Sequence, residues 1–425
     1  MNRREINRTV FMLAALAVAA ASARPALAGG KHHKKRLLVT FLEGTGRAER
    51  AQAAKDMGLS VSDDLDSLEV SVLESAGDVA PQEVSKARKH PRVYQVEEDV
   101  YRNWLFESPA SFQSTPLPSV ESVISALGRP RKPAPQPADP ASGGGRTSPA
   151  SAGDAPWGVA RVNAPAAWSS GQGSGVKVAV IDTGIDCTHP DLQCDFSQGA
   201  NIVDPSATPM DDNEHGTHVS GTIAGRGKGG PVGVAPKATL LAVKVLDAQG
   251  SGNLSDIVKG INWATKHGAD VINMSLGGAS GSAALERAVK QALAAGVVVV
   301  AAAGNSGGSV GFPGAYDDTI AVAASDSNDK LASLSSRGPE VDFIAPGVDV
   351  LSAKMGGGFI SYSGTSMASP HVAGLAALAV SQGYVGLNGP DGVFAQLKKA
   401  ASPLAGGLTA EMQGAGMIDA GKLAR

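Results

Sequence analysis

From about residue 156 onward, short apolar runs alternate with helical stretches, and this alternation limits the fold more than any other feature of the chain. Residues 176–181, 240–246, 271–274, 297–302 and 319–323 are near-continuous apolar runs, the pattern of strands covered on both faces. Residues 255–267 and 282–295 fall between such runs and carry helical spacing. The repetition predicts an α/β fold: a mostly parallel, doubly wound sheet with helices on both sides. In such sheets the chemistry gathers at the carboxyl ends of the strands. A chain of 425 residues, 43% hydrophobic and 18% charged, can fill that core and carry further units. Its net charge of −3 provides no electrostatic footprint for nucleic acid.

The chain ahead of this region divides into segments of different character. Arg3, Arg4 and Arg8 precede an Ala-rich apolar run over 10–21, and Ala26-Leu27-Ala28 supplies small residues for cleavage. Residues 1–28 therefore read as a signal peptide, and the protein is expected to be secreted; the Arg pair leaves Sec and twin-arginine export both open. No later run is long and apolar enough to span a bilayer, so no stable membrane anchoring is expected. A basic run, Lys31-His32-His33-Lys34-Lys35-Arg36, reads as a solvated tail. Residues 37–101 follow the order strand, helix, strand, helix, strand, with strands expected at 37–41, 68–72 and 93–100 and helices at 47–57 and 81–88. This defines a small α+β unit within 29–106. Pro, Ser, Gly and Ala dominate 107–152, which reads as a linker with one short helix over 120–127. The main domain occupies 153–425.

The two cysteines, Cys187 and Cys194, are expected to pair in an oxidising compartment; two buried free thiols are the alternative. Asp182 ends the first apolar run of the main domain, where a buried carboxylate can fix an imidazole tautomer. A dinucleotide-binding acid is excluded there, because the Gly-rich stretch 171–175 precedes the strand instead of following it. His215 and His218 lie three apart, but no HExxH pattern accompanies them, and Gly216 and Gly221 suit a helix packed close to its neighbours. Ser366 stands at the start of a helical run through residue 380, where its N–H points outward; a capping serine is the alternative reading. Ala368 breaks Gly-x-Ser-x-Gly and disfavours a lipase-type elbow.

Together, Val180-Ile181-Asp182-Thr183-Gly184, His215-Gly216-Thr217-His218 and Gly364-Thr365-Ser366-Met367-Ala368-Ser369-Pro370 resemble the three signature segments of subtilisin-like serine proteases, in that family's order Asp, His, Ser. The resemblance runs over nearly all of 155–423. It implies a serine endopeptidase with Ser366 as nucleophile, His215 as base and Asp182 as orienting carboxylate, and no cofactor for the chemistry. Asn305 matches the side-chain oxyanion donor that works beside the Ser366 N–H. Gly250, Ser251 and Gly252 on one side, and Ser275, Leu276, Gly277 and Gly278 on the other, match the strands that hold an extended polypeptide substrate. Ala302, Ala303 and Gly304, with Ser306 and Gly311, match the primary specificity pocket. None of these positions is acidic, so large apolar or aromatic residues are expected before the cut bond. Phe312-Pro313 sits where the family has a cis bond.

The amino-terminal unit resembles the family's propeptide, a folding chaperone and inhibitor, with residues 93–99 matching its last strand. The long linker departs from the family's arrangement and suggests processing in steps, first near 104–106 and later near 152. Asp191 matches a carboxylate of the family's tight calcium site. The loop that should complete the site reads Arg226-Gly227-Lys228-Gly229-Gly230-Pro231, without Asn or Asp, and Gly153 replaces the expected amide. A structural calcium would rest on Asp191 and backbone oxygens. The expected partners are polypeptide substrates and the chain's own propeptide, with the protein a monomer.

Overall fold

The computed structural model describes residues 35–105 and 155–423. The expected leader, most of the basic tail, and the linker with its short helix lie outside the described residues.

In the amino-terminal unit the order is β1 (Leu37–Phe41), α1 (Arg47–Met57), β2 (Ser60–Leu65), β3 (Val70–Glu74), α2 (Pro81–Lys89), β4 (Val93–Glu98) and β5 (Tyr101–Asn103). The first four strands form an antiparallel sheet in the order β2-β3-β1-β4. Strand β2 is an addition to the sequence reading. Ser60–Leu65 is polar, with Asp63 and Asp64 in a position that disfavours strand, and it pairs only as an edge. Its Asp64 is held by the buried guanidinium of Arg50 at 2.7 Å, which lets a carboxylate sit inside the sheet.

All five residues of β1 are buried, which a sheet with one wet face does not require. Leu37, Val39 and Phe41 belong to the unit's own core with Ala53, Ala54 and Met57 of α1. Leu38, together with Val70 and Val72, joins a second core shared with the main domain. The continuous apolar run of β1 is therefore explained by two covers, one from each domain.

The main domain runs α3 (Trp157–Arg161), α4 (Ala164–Ala167), β6 (Lys177–Asp182), β7 (Ala200–Asn201), α5 (His215–Ala224), β8 (Thr239–Lys244), β9 (Ser251–Asn253), α6 (Leu254–Lys266), β10 (Val271–Met274), α7 (Ala283–Ala294), β11 (Val298–Ala302), β12 (Ile320–Ser325), β13 (Val341–Pro346), β14 (Val350–Ala353), β15 (Phe359–Tyr362), α8 (Thr365–Ser381) and α9 (Val393–Ala400), with short elements to residue 422. Seven strands form a parallel sheet in the order β13-β12-β11-β10-β6-β8-β7. Val178 and Val180 of β6 face one core with α5 and α8, while Ala179 and Ile181 face the other with α6 and α7. The expected α/β sheet covered on both faces is thus present. Strand β13 and the β14–β15 hairpin were not foreseen: Asp342 and Pro346 interrupt the apolar run of the first, and the second is tied by three glycines, 356–358.

After β6 the chain goes to the edge strand β7 and comes back to β8 beside β6, then crosses to the far side of β6 with β10 and continues outward through β13. The order reverses between β6 and β10, and a crevice opens at such a point beyond the strand ends.

The two domains meet through helices α6 and α7. The Glu97 carboxylate accepts from Ala283 N at 3.1 Å and Ala284 N at 3.2 Å, at the start of α7. Asp99 does the same for α6, accepting from Ser255 N at 2.8 Å and Ser255 Oγ at 2.9 Å. Each satisfies open N–H groups and opposes the positive end of a helix dipole, worth about 1 kcal/mol per cap. Burial, only partly offset by these donors, pushes both carboxyls above their ordinary range. Arg287 of α7 donates in return to the Phe41 and Leu68 carbonyls, at 2.9 and 3.0 Å.

Candidate active site

Asp182 is the last residue of β6 and is fully buried. His215 opens α5, and its Nδ1 donates to Asp182 Oδ1 at 2.8 Å, with Oδ2 at 3.0 Å. Ser366 is the second residue of α8, and its Oγ donates to the Ser275 carbonyl at 3.1 Å. Asp182 and His215 are thus joined directly, and α5 and α8, which carry His215 and Ser366 at their starts, pack against each other beside the crevice between β6 and β10. Two glycines make the packing of α5 possible. A Cβ on Gly216 would lie 2.1 Å from Gly184 O, and one on Gly221 would lie 2.4 Å from Ser352 Oγ. Phe312-Pro313 is cis.

Asn305 follows β11 and faces Thr365, the residue before Ser366. Its Oδ1 accepts from Thr365 N and Thr365 Oγ1, both at 2.8 Å. Thr365 Oγ1 in turn accepts from Gly304 N at 3.0 Å. With the amide oxygen tied down, the orientation of the amide donor end is set. Ser306 is engaged with Ser336 Oγ at 3.2 Å, and Gly311 N donates to Ala303 O at 2.9 Å. Ala302, Ala303 and Gly304 form a buried wall beside them.

One residue that ties the site together was not read from the sequence. Asp211 is buried and accepts from Thr217 N at 2.9 Å, Thr217 Oγ1 at 2.5 Å, Thr183 Oγ1 at 2.8 Å, Asn213 N at 3.0 Å and Glu214 N at 3.2 Å. Thr183 Oγ1 also accepts from Gly216 N at 3.0 Å. This network joins the loop after Asp182 to the first turn of α5 and so sets the spacing of Asp182 and His215. Burial pushes the Asp211 carboxyl up, against the pull of these donors. An acidic residue shortly ahead of a helix start, in Asp211-Asp212-Asn213-Glu214-His215, was the available signal.

The chain's own amino-terminal unit lies in the groove beside these residues. Strand β5 pairs antiparallel with β9, Arg102 opposite Gly252 and Asn103 opposite Ser251. Trp104 N donates to Gly250 O at 2.9 Å, and Gly277 N donates to Trp104 O at 2.8 Å. The indole Nε1 donates to Gly252 O at 2.8 Å, and the ring shares an apolar cluster with Leu246, Leu254 and Leu276. Glycine on both walls leaves room for the side chains of this strand. A Cβ on Gly250 would lie 2.5 Å from Leu105 Cδ1, and one on Gly278 would lie 1.9 Å from Arg102 Nη2. Gly278 itself spends its backbone on Phe312, donating and accepting at 2.9 and 2.8 Å, so it shapes the wall without pairing to the strand in the groove. Of the first expected cut region, 104–106, Trp104 and Leu105 are described, while Phe106 and the second region near 152 lie outside the described residues.

Cys187 and Cys194 form a disulfide, as expected. The loop they close holds Asp191, whose surroundings do not fit a calcium ion. Lys228 N donates to Asp191 Oδ1 at 2.5 Å and Arg226 N donates to the Asp191 carbonyl at 2.9 Å, so the 226–231 loop presents N–H groups where a cation needs oxygens. Asp191 Oδ2 is buried with no hydrogen-bond partner among the described residues. Burial pushes this carboxyl up, the direction that favours a proton there. Among the described residues no cluster of three His, Cys, Asp or Glu could hold a metal, and Gly153 and Asp154 lie outside them. A calcium ion at 100 times its dissociation constant would add about 2.7 kcal/mol, or about 5–10 °C in Tm at about 2–4 °C per kcal/mol for a domain this large. EDTA is therefore expected to move the Tm of the purified protein by less than about 1 °C. A calcium-dependent rise that Asp191→Asn abolishes would show the site to be a metal site after all.

Comparison with known proteins places both domains. Residues 173–416 match the model of the subtilase family, and residues 18–99 match that of the fervidolysin N-terminal prodomain. The chain is 52% identical over 235 residues to subtilisin E of Bacillus subtilis, covering 53% of this chain and 61% of that protein. It is 54% identical over 226 residues to subtilisin Savinase of Lederbergia lenta, covering 52% of this chain and 83% of that one. A subtilisin of Bacillus pumilus is 52% identical over 235 residues, covering 53% of this chain and 85% of that protein. The chain thus spans about three fifths of the length of the first curated relatives it matches. With the family's domain matched over more than half of its length and a prodomain ahead of it, this chain belongs to the subtilase family.

Proposed function

We propose that this protein is a secreted serine endopeptidase made as a precursor that its own prodomain inhibits. The observation that carries the reading is the pairing of β5 and Trp104 with both walls of a groove leading to Ser366. A polypeptide bound there is extended, an added strand between 250–252 and 275–277. In the proposed reaction Ser366 Oγ attacks the carbonyl carbon, giving its proton to His215 Nε2. Asp182 holds the other ring nitrogen in the N–H tautomer and stabilises the imidazolium that forms. The tetrahedral oxyanion is held by Ser366 N–H, at the start of α8, and the Asn305 amide. His215 then protonates the departing amine, leaving an acyl-enzyme that water hydrolyses by the reverse sequence. No metal takes part in these steps. The prodomain, held by Glu97, Asp99 and Arg287, occupies the groove and excludes substrate until the chain is cut in the region after residue 105.

The small apolar wall at 302–304 supports a preference for a large apolar or aromatic residue before the cut bond. In a peptide series varied at that residue, Phe and Leu are expected to be cut at least about tenfold faster than Arg, since an unpaired charge in an apolar pocket is disfavoured. Faster cutting after Arg would overturn this specificity. Failure of a serine-directed phosphonate to label the processed protein would overturn the peptidase reading itself.

A further inference from the structure

Glu214 directly precedes His215, and although its backbone N–H joins the Asp211 network, its side chain belongs to none of the networks that position the triad. The other acidic groups nearby are accounted for. Asp182 holds His215, Asp211 is saturated by five donors, and Asp212 pairs with Lys244 at 2.5 Å. Among the described residues the Glu214 carboxylate makes no ion pair, and its one hydrogen bond is from the Tyr362 hydroxyl, which donates to Oε2 at 2.5 Å. Tyr362 ends β15, four residues before Ser366, and its ring lies 4.7 Å from that of His218. Both Glu214 and Tyr362 are half-buried, within reach of solvent. The backbone of Glu214 is left-handed, φ 88°, a conformation that a non-glycine residue adopts at a cost. The carboxylate is thus held at a defined place, uncompensated, beside the base.

The direction of the groove says which part of a substrate meets it. Along β5 the bound strand passes from Asn253 to Ser251, and Trp104 reaches Gly250 and Gly277. Continued in that direction, the strand moves from Gly277 toward Ser275, whose carbonyl holds Ser366 Oγ. Residues after the cut bond must then leave on the side of His215, which protonates the departing amine. Glu214 and Tyr362 stand on that side, joined to His215 and to the approach to Ser366.

Resting on the peptidase reading, we infer that Glu214, braced by Tyr362, determines specificity on the leaving side, favouring Lys or Arg at the first two positions after the cut bond and disfavouring Asp or Glu. An apolar residue before the cut and a basic residue after it would then define the preferred site.

The test uses the purified full chain, allowed to process itself, and internally quenched peptides that share one acyl half and differ only in Lys or Glu at the first or second leaving-side position. At low salt kcat/KM is expected to favour Lys by about three- to tenfold, the range for a partly solvated charge pair, and to fall with added salt. Glu214→Gln should bring the ratio close to one, and Glu214→Arg should invert it. A role confined to bracing the loop would change the rates on both peptides together and leave the ratio where it was. Equal rates for the wild type on Lys and Glu peptides, or a ratio unmoved in Glu214→Gln, would overturn the inference and leave the peptidase reading standing. Cleavage of neither peptide by the folded, phosphonate-unreactive protein would overturn both.

Discussion

Ser366→Ala is expected to lower turnover by about 10⁶-fold, the size seen on removing the nucleophile of a subtilisin. The chain should then accumulate as an uncut precursor, because the same serine would carry out its own processing. The geometry gives the variant little reason to misfold. Among the described residues Ser366 Oγ makes one hydrogen bond, to the Ser275 carbonyl, and Ser275 Oγ independently donates to the Ser366 carbonyl at 2.8 Å. Mass spectrometry of the purified variant, with phosphonate labelling, is the measurement. A correctly processed variant, or one that still takes the label, would remove Ser366 from the role proposed.

Asn305→Ala should give the second largest effect, a fall in kcat of about 10²–10³ with KM nearly unchanged, the size found for the corresponding donor in a subtilisin. The split is the informative part. An amide that serves only the developing oxyanion stabilises the transition state and not the bound substrate, so its loss appears in kcat. The substitution also frees Thr365 N and Thr365 Oγ1 of their acceptor, so the unfolding midpoint must be compared with the wild type. An unchanged midpoint assigns the loss to the chemistry. A rise in KM with kcat preserved would mean that Asn305 serves binding instead.

Much of this architecture was readable because the chain alternates so regularly. Strands at 271–274 and 37–41 match the sequence reading residue for residue, since each is a continuous apolar run ended by a turn. Edges were harder. Strand β2 carries two aspartates and β13 carries Asp342 and Pro346, so neither has the apolar run by which buried strands are recognised. The candidate triad and Asn305 stood out only because their flanking residues resemble known segments; a lone Asp, His or Ser would not have. Asp211 and Glu214 were passed over for the same reason, although both lie within a few residues of His215.

The amino-acid order alone determined which segments become buried strands and helices, and where Gly must stand so that α5 can approach its neighbours, because both follow from side-chain periodicity and size. Only the tertiary structure decided what those elements face. The second cover over β1, the capping of α6 and α7 by Glu97 and Asp99, and the entry of Trp104 between 250–252 and 277 all join segments distant in sequence, 148 positions apart for Trp104 and Gly252 and 187 for Glu97 and Ala284. Likewise, the loop around Asp191 turns amide donors inward where the matching residue alone suggested a cation. Periodicity is a local property of the chain, whereas the direction of a donor or the neighbour of a carboxylate is settled by the packing of distant segments.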